Sequence, residues 1–149
     1  MDIVRWAFNT TTWNPSEDIW QTLLQQVGKE EANKISRYVF KCDAKLSLGG
    51  RLLINKFLIK HANQLNIPVE NVHEYVARTT KGKPYFKLNS TLHNYFIDFN
   101  VSNAGDYVIF TGIAGIPSEN NKPLAIGCDV MKLEIRGRDK VFLFFFSFF

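Results

Sequence analysis

Two cysteines, Cys42 and Cys128, stand far apart without any CxxC spacing, which excludes a disulfide framework and gives no zinc signature. Both read as reduced, structural residues. The three histidines, His61, His73 and His93, lack the spacing of a metal site or of a nucleophile and base pair, and they too read as structural. Neither GxSxG nor GxGxxG occurs, so standard hydrolase and dinucleotide-binding motifs have no support. Long hydrophobic runs are missing as well. The conspicuous apolar stretch, Val141 to Phe149, is nine residues long, whereas a membrane-spanning helix needs about 20 apolar residues. Asp2 and Arg5 interrupt the first apolar letters, so no secretory leader is read, and a cytosolic protein without a membrane partner is expected. There is no internal repeat and no extended linker.

What is present suits a folded domain. With 46% hydrophobic and 21% charged residues, the chain is far from the balance of disordered segments, and its 149 residues fit one ordinary domain or half of a larger one. Phenylalanine is unevenly placed: of 13, six lie in the last eight positions. That ending is uncharged and free of proline, the profile of an aggregation-prone segment. The net charge of +4 is uneven too. Lys29 to Lys60 carries +5, Arg78 to Lys87 carries +4 with no acid, and the remainder carries −5. Two positive segments suit a polyanion or a phosphorylated small molecule, although charged runs more often form a solvated face.

Alternation of Val4, Trp6 and Phe8 with polar or small neighbours predicts an opening strand. A helix should follow, capped by Asn14, with Pro15 at its first position, Ile19, Trp20, Leu23, Leu24 and Val27 as its stripe, and Gly28 as its stop. Residues 30 to 41 are expected to be helical, with Ile35, Tyr38 and Val39 on one side. A longer helix is expected over 43 to 65, interrupted by Gly49 and Gly50, where a close backbone contact or a bound group would explain the two glycines. Strands are expected at Val72 to Thr79, Pro84 to Leu88, Phe96 to Val101, Tyr107 to Ala114 and Leu124 to Met131. Thr80 to Pro84 joins the first two as a hairpin, Asn103 to Asp106 is a turn, and Ile116 to Pro123 is a surface loop. The class is α+β, an antiparallel sheet with packed helices.

Four places concentrate unusual chemistry. Arg51 follows two glycines on an apolar helix, and suits either an anion or the surface beside a packing contact. In Arg78-Thr79-Thr80-Lys81-Gly82-Lys83-Pro84 a glycine permits close backbone approach between cations, which suits a phosphate or a charged hairpin tip. The spacing is not that of a Walker loop. Phe99-Asn100-Val101-Ser102-Asn103 runs a strand into a polar turn able to hold an anion. In Ile126-Gly127-Cys128-Asp129-Val130-Met131 one carboxylate sits in an apolar strand, a costly position unless Asp129 pairs with a cation or binds a metal such as Mg²⁺.

In this order and register, the four motifs resemble the first half of a 4′-phosphopantetheinyl transferase, in particular its animal members. Val4-Arg5-Trp6-Ala7-Phe8, Trp13, Pro15 and Phe40 with Asp43-Ala44-Lys45 add to the resemblance, which covers about residues 3 to 138. It implies one lobe of a two-lobed fold. It further implies transfer of the phosphopantetheine arm of coenzyme A to a serine of an apo carrier protein, with release of adenosine 3′,5′-bisphosphate, and a place in lysine metabolism. By the same resemblance Arg51 and Arg78 hold coenzyme phosphates, Thr79, Thr80, Lys81, Gly82 and Lys83 lie along the nucleotide, and Asn100, Val101, Ser102 and Asn103 add contacts. Asp129 binds Mg²⁺, and the full-length family member is a monomer.

Two departures from the family pattern stand out. Asn103 occupies a position where such members usually carry a histidine, which replaces a possible charge by a neutral donor. The second half of the family, with its WxxKE motif, is not found in this sequence, so no catalytic residue is assigned. Residues 1–138 are accordingly expected to form the N-terminal lobe. Residues 139–149 are expected to be an aberrant apolar tail outside the fold, as in a truncated isoform. A non-catalytic fragment that binds coenzyme A or a carrier is the alternative. A nucleic-acid binder ranks last, because the cations from Arg78 to Lys83 have no interleaved aromatics.

Overall fold

A computed structural model describes residues 1–87, 95–117, 125–133 and 141–148. The chain opens with strand β1 (Asp2–Asn9) and continues through α1 (Glu17–Gln26), α2 (Lys29–Ser36), α3 (Lys41–Lys60) and the short α4 (Ala62–Leu65). After a 3-10 helix at Val69–Tyr75 come β2 (Val76–Arg78), β3 (Pro84–Phe86), β4 (Phe96–Ala104), β5 (Tyr107–Gly115), β6 (Ile126–Leu133) and β7 (Val141–Phe148). Every strand pairing among them is antiparallel: β1-β5-β4 form one sheet, β2-β3 and β6-β7 two ribbons. The expected α+β class holds.

Period-two alternation gives the central sheet two different faces. Val4 and Trp6 of β1, Ile97, Phe99 and Val101 of β4, and Phe110 and Ala114 of β5 belong to one apolar cluster with Ile54, Phe57 and Leu58 of α3. Trp6 stacks on Phe110 at 5.2 Å and Phe57 meets Phe110 at 5.3 Å. Between the rings sits Gly112, where a Cβ would come 2.7 Å from Phe57 and 2.8 Å from Phe110. On the opposite face Ile109, Thr111 and Ile113 are buried. There Ile126 N–H donates to Asp98 Oδ2 at 3.2 Å and Val130 N–H to Ser102 Oγ at 3.3 Å, tying β6 to β4. Tyr107 meets Phe142 and Phe144 edge-on, at 4.7 and 5.4 Å. Residues 139–149 were expected outside the fold; instead Val141–Phe148 pairs along β6 from Leu133 to Ile126, because its alternate phenylalanines find this second face of the sheet.

Glycines Gly49 and Gly50 do not interrupt α3. A Cβ on Gly49 would lie 3.2 Å from Phe8, and one on Gly50 3.1 Å from Val101, so the pair lets the helix lie close upon the sheet. Several local expectations shift. Ser16, not Asn14, caps α1, its hydroxyl accepting from Ile19 N–H at 3.4 Å. Trp20, Leu24 and Val27 are buried as expected, while Ile19 is exposed. The second helix ends at Ser36, so only Ile35 of its expected stripe is buried, and Tyr38 and Val39 lie exposed in the link to α3. His61 breaks the long helix after Lys60. The strand expected from Val72 is a 3-10 helix up to Tyr75, leaving only Val76–Arg78 extended. Leu88, His93 and most of the Ile116 to Pro123 loop lie outside the described residues.

Burial decides the energetics of the long helix. Phe57→Ala should destabilise the protein by about 3–5 kcal/mol, while Ile19→Ala, 54% exposed, should change stability by under about 1 kcal/mol. Urea unfolding followed by tryptophan fluorescence measures both.

Candidate functional site

Between α3, the β2-β3 hairpin and the edge strand β4 lies a cavity of about 640 Å³. Arg51, Arg78, Lys81, Gly82, Lys83, Asn100, Val101 and Asn103, all singled out in the sequence, line it together. Tyr38, Asp43 and Ser47 also reach it from the α2 to α3 link and the first turns of α3. The sites proposed from separate motifs thus converge, except that Thr79, Thr80, Ser102 and Asp129 do not line the cavity. Ser102 points to the other face of β4, where its hydroxyl donates to Asp129 Oδ1 at 2.8 Å, and neither residue lines the cavity. Thr80, exposed at the hairpin tip, does not line it either.

The hairpin is shaped by its own backbone. Thr79 N–H donates to Lys83 O and Gly82 N–H to Thr79 O, both at 2.8 Å, and the Thr79 hydroxyl accepts from Lys83 N–H at 3.1 Å. Gly82 takes a φ of +83°, a left-handed conformation that favours glycine, and a Cβ there would meet nothing within 4 Å. The loop therefore offers open backbone between two lysines, a setting suited to an anion.

The two arginines differ. Arg51 is only 5% exposed; its Nη2 donates to His73 O at 3.2 Å, and its Nε is buried without a hydrogen-bond partner. Burial pulls its guanidinium pKa below the usual value, opposed by the nearby Glu31 carboxylate. Arg78 instead forks onto Glu31, Nε to Oε1 at 2.9 Å and Nη2 to Oε2 at 2.8 Å, and donates from Nη1 to Gly82 O at 2.9 Å. Both arginines also line an adjoining cavity of about 520 Å³, onto which Glu31 opens. Glu31 belongs to the site although no motif of the sequence contains it. Its signal was its place four residues before Ile35, on the buried side of α2.

Asp129 does not make a metal centre among the described residues. It is exposed, its Oδ1 is engaged by Ser102 and by Val130 N–H at 2.9 Å, and no three His, Cys, Asp or Glu side chains come together there to hold an ion. Mg²⁺ usually takes one or two carboxylates plus substrate phosphate oxygens, so one carboxylate is an incomplete set. Cys128 is no nucleophile: burial pushes its thiol up to about 11. His61 holds Tyr95 OH at 2.8 Å through Nδ1, a structural link. No helix among the described residues is long and apolar enough to cross a membrane.

The hydrogen bonds from Arg78 hold the Glu31 carboxyl at about 2, against an ordinary 4.5, despite its burial. The folded form thus binds the proton less tightly than the unfolded one. The stabilisation is complete above about pH 4.5 and is lost as pH falls towards 2, on the order of 2–3 kcal/mol in all. Urea unfolding between pH 6 and pH 3 should show a shallower acid loss for Glu31→Gln than for the parent.

Comparison with known proteins agrees with the motif order. A family model described as 4′-phosphopantetheinyl transferase, N-terminal, matches residues 11–115. The mouse (Mus musculus) L-aminoadipate-semialdehyde dehydrogenase-phosphopantetheinyl transferase is 37% identical over 145 residues, 97% of this chain and 43% of that protein. The fission yeast (Schizosaccharomyces pombe) protein of the same name is 31% identical over 115 residues, 72% of this chain and 40% of its own. A 4′-phosphopantetheinyl transferase of Aneurinibacillus migulanus is 35% identical over 91 residues, 61% of this chain and 33% of its own. The chain therefore spans less than half the length of the relatives it matches. On the family match and these identities, the chain belongs to the 4′-phosphopantetheinyl transferase family.

Proposed function

We propose that the cavity between α3, the β2-β3 hairpin and β4 holds the phosphates of coenzyme A, as one lobe of a two-lobed, cytosolic, monomeric enzyme. That enzyme transfers 4′-phosphopantetheine to a serine of an apo carrier protein. The observation that carries this reading is the convergence of Arg51, Arg78, Lys81 and Lys83 on one open cavity. In the reaction the serine oxygen forms a bond to the phosphorus bearing the pantetheine arm. The pyrophosphate oxygen on the nucleotide side leaves with adenosine 3′,5′-bisphosphate, and the serine proton is lost to base. Little covalent chemistry falls to the protein in such a transfer, so positioning and charge stabilisation dominate.

Each residue has a part in that scheme. Arg51 lines the cavity from a buried position, and desolvation makes a contact of its guanidinium with a phosphate count for more than at the surface. Lys81 and Lys83 flank the anion as point charges, and the open backbone at Gly82 admits it. Thr79 closes the loop that carries Lys81, Gly82 and Lys83, while Asn100, Val101 and Asn103 form the opposite wall. Ser102 acts through Asp129, not on the coenzyme directly. Mg²⁺ would supply charge neutralisation at the pyrophosphate. Asp43 is the carboxylate that lines the cavity, while Asp129, the ligand that the resemblance implies, stands beyond it on the other face of β4.

A second reading, a non-catalytic fragment that binds coenzyme A or a carrier, draws on Arg51 and the Arg78 loop standing together on one cavity in a chain that spans less than half the length of its relatives. One set of measurements separates the two. Calorimetry should show coenzyme A binding that weakens at least about tenfold in Arg51→Gln and falls with added salt. Binding without formation of holo-carrier in the presence of Mg²⁺ supports the fragment, holo-carrier formation supports the transferase, and absence of coenzyme binding overturns both.

A further inference from the structure

We infer that Glu31 is a positioning residue for the anion site: by holding Arg78 in a fork it fixes the 79–83 loop and presents the remaining guanidinium N–H groups to the bound phosphate. The inference rests, for its ligand, on the coenzyme reading above. Its geometry is independent of that reading. Arginine has five N–H donors, of which Nε and one each on Nη2 and Nη1 are spent on Glu31 and Gly82 O. Two remain, and the fork leaves the guanidinium plane no freedom to turn them elsewhere.

Burial separates this pair from an ordinary surface ion pair. The Glu31 side chain is 10% exposed, and it is anchored on α2, 47 positions from its partner. Lys34 stands 3.5 Å from the same carboxylate, with Glu30 neutralising that lysine at 3.0 Å, so the fork keeps the stronger hold. From Arg78 the constraint passes to Gly82 O, and so to the loop whose backbone closes through Thr79 and Lys83. A negative charge beside an anion site is otherwise a liability, since it repels the ligand. Its retention within the wall makes sense where the order it imposes outweighs that repulsion, and the sign of the effect can be measured.

The test compares the full chain with Glu31→Gln, which removes the charge but keeps the shape, and Arg78→Lys, which keeps the charge but removes the fork. Amide hydrogen exchange comes first. Thr79 and Gly82 N–H should exchange about tenfold faster in both variants, while the β4-β5 amides, reporting the intact sheet, stay unchanged. Unchanged loop exchange in either variant with a protected sheet overturns the inference. If Glu31→Gln does not fold, Glu31→Asp, which keeps the charge but draws the carboxylate back from the fork, takes its place, with the same faster loop exchange expected and unchanged exchange overturning the inference. Coenzyme A titration comes second. Glu31→Gln should weaken binding about tenfold even though a repelling charge is gone. Equal or tighter binding overturns the inference. Should the parent bind no coenzyme, the functional reading fails while the exchange comparison still decides the role of Glu31.

Discussion

Close contact between α3 and the central sheet is the constraint on which the site depends. Gly49 and Gly50 face Phe8 and Val101 at distances where a methyl group would crowd both. With the glycines the helix axis drops towards the strands, and the next residue, Arg51, is carried into the wall below the surface. A guanidinium there has lost most of its water, which is why its charge is held at some cost and why its Nε is left without a hydrogen-bond partner. The same approach sets Val101 and Asn103 of β4 opposite the helix as the far wall. Packing and chemistry thus share a single geometric origin, and a bulkier residue at Gly50, which itself lines the cavity, would disturb both at once.

The second support is electrostatic. Arg51, Glu31 and Arg78 stand together where two cavities adjoin, with two positive charges and one negative. Glu31 compensates part of the burial of Arg51 and fixes Arg78 outright. One carboxylate can do both because α2 is short and ends at Ser36, which turns the chain back so that α3 begins beside it.

Local features were legible in the sequence because local physics decides them. Alternation in β1 named the inward residues Val4, Trp6 and Phe8, and the Thr80 to Pro84 stretch, with its glycine, specified the hairpin. The paired glycines pointed to a close backbone contact or a bound group, and the contact is with Phe8 and Val101. What was not legible depends on distant partners. Nothing near Glu31 says that its carboxylate meets Arg78, and nothing near Val72 says that the chain still winds as a 3-10 helix there, with Lys87 N–H reaching back to Tyr75 O at 2.8 Å. Tyr38 and Val39 had the right spacing for a buried stripe, yet the helix had already ended. The phenylalanine-rich ending looked foreign by composition, but its period of two matched a sheet face that only the assembled β4 and β5 create. Strand alternation turns Ser102 away from Val101 and Asn103, but Asn100, of the same parity as Ser102, still lines the cavity, which alternation does not foretell.

The cavity walled by α3, the β2-β3 hairpin and β4 is proposed to receive the phosphates of coenzyme A. Amide chemical-shift mapping on isotopically labelled protein tests it most directly. On titration with coenzyme A, shifts should concentrate at Gly50 to Ile54, Arg78 to Lys83 and Asn100 to Asn103, with β7 and the Trp20 cluster unmoved. Shifts centred on β6 and β7, or spread evenly over the surface, would contradict the account.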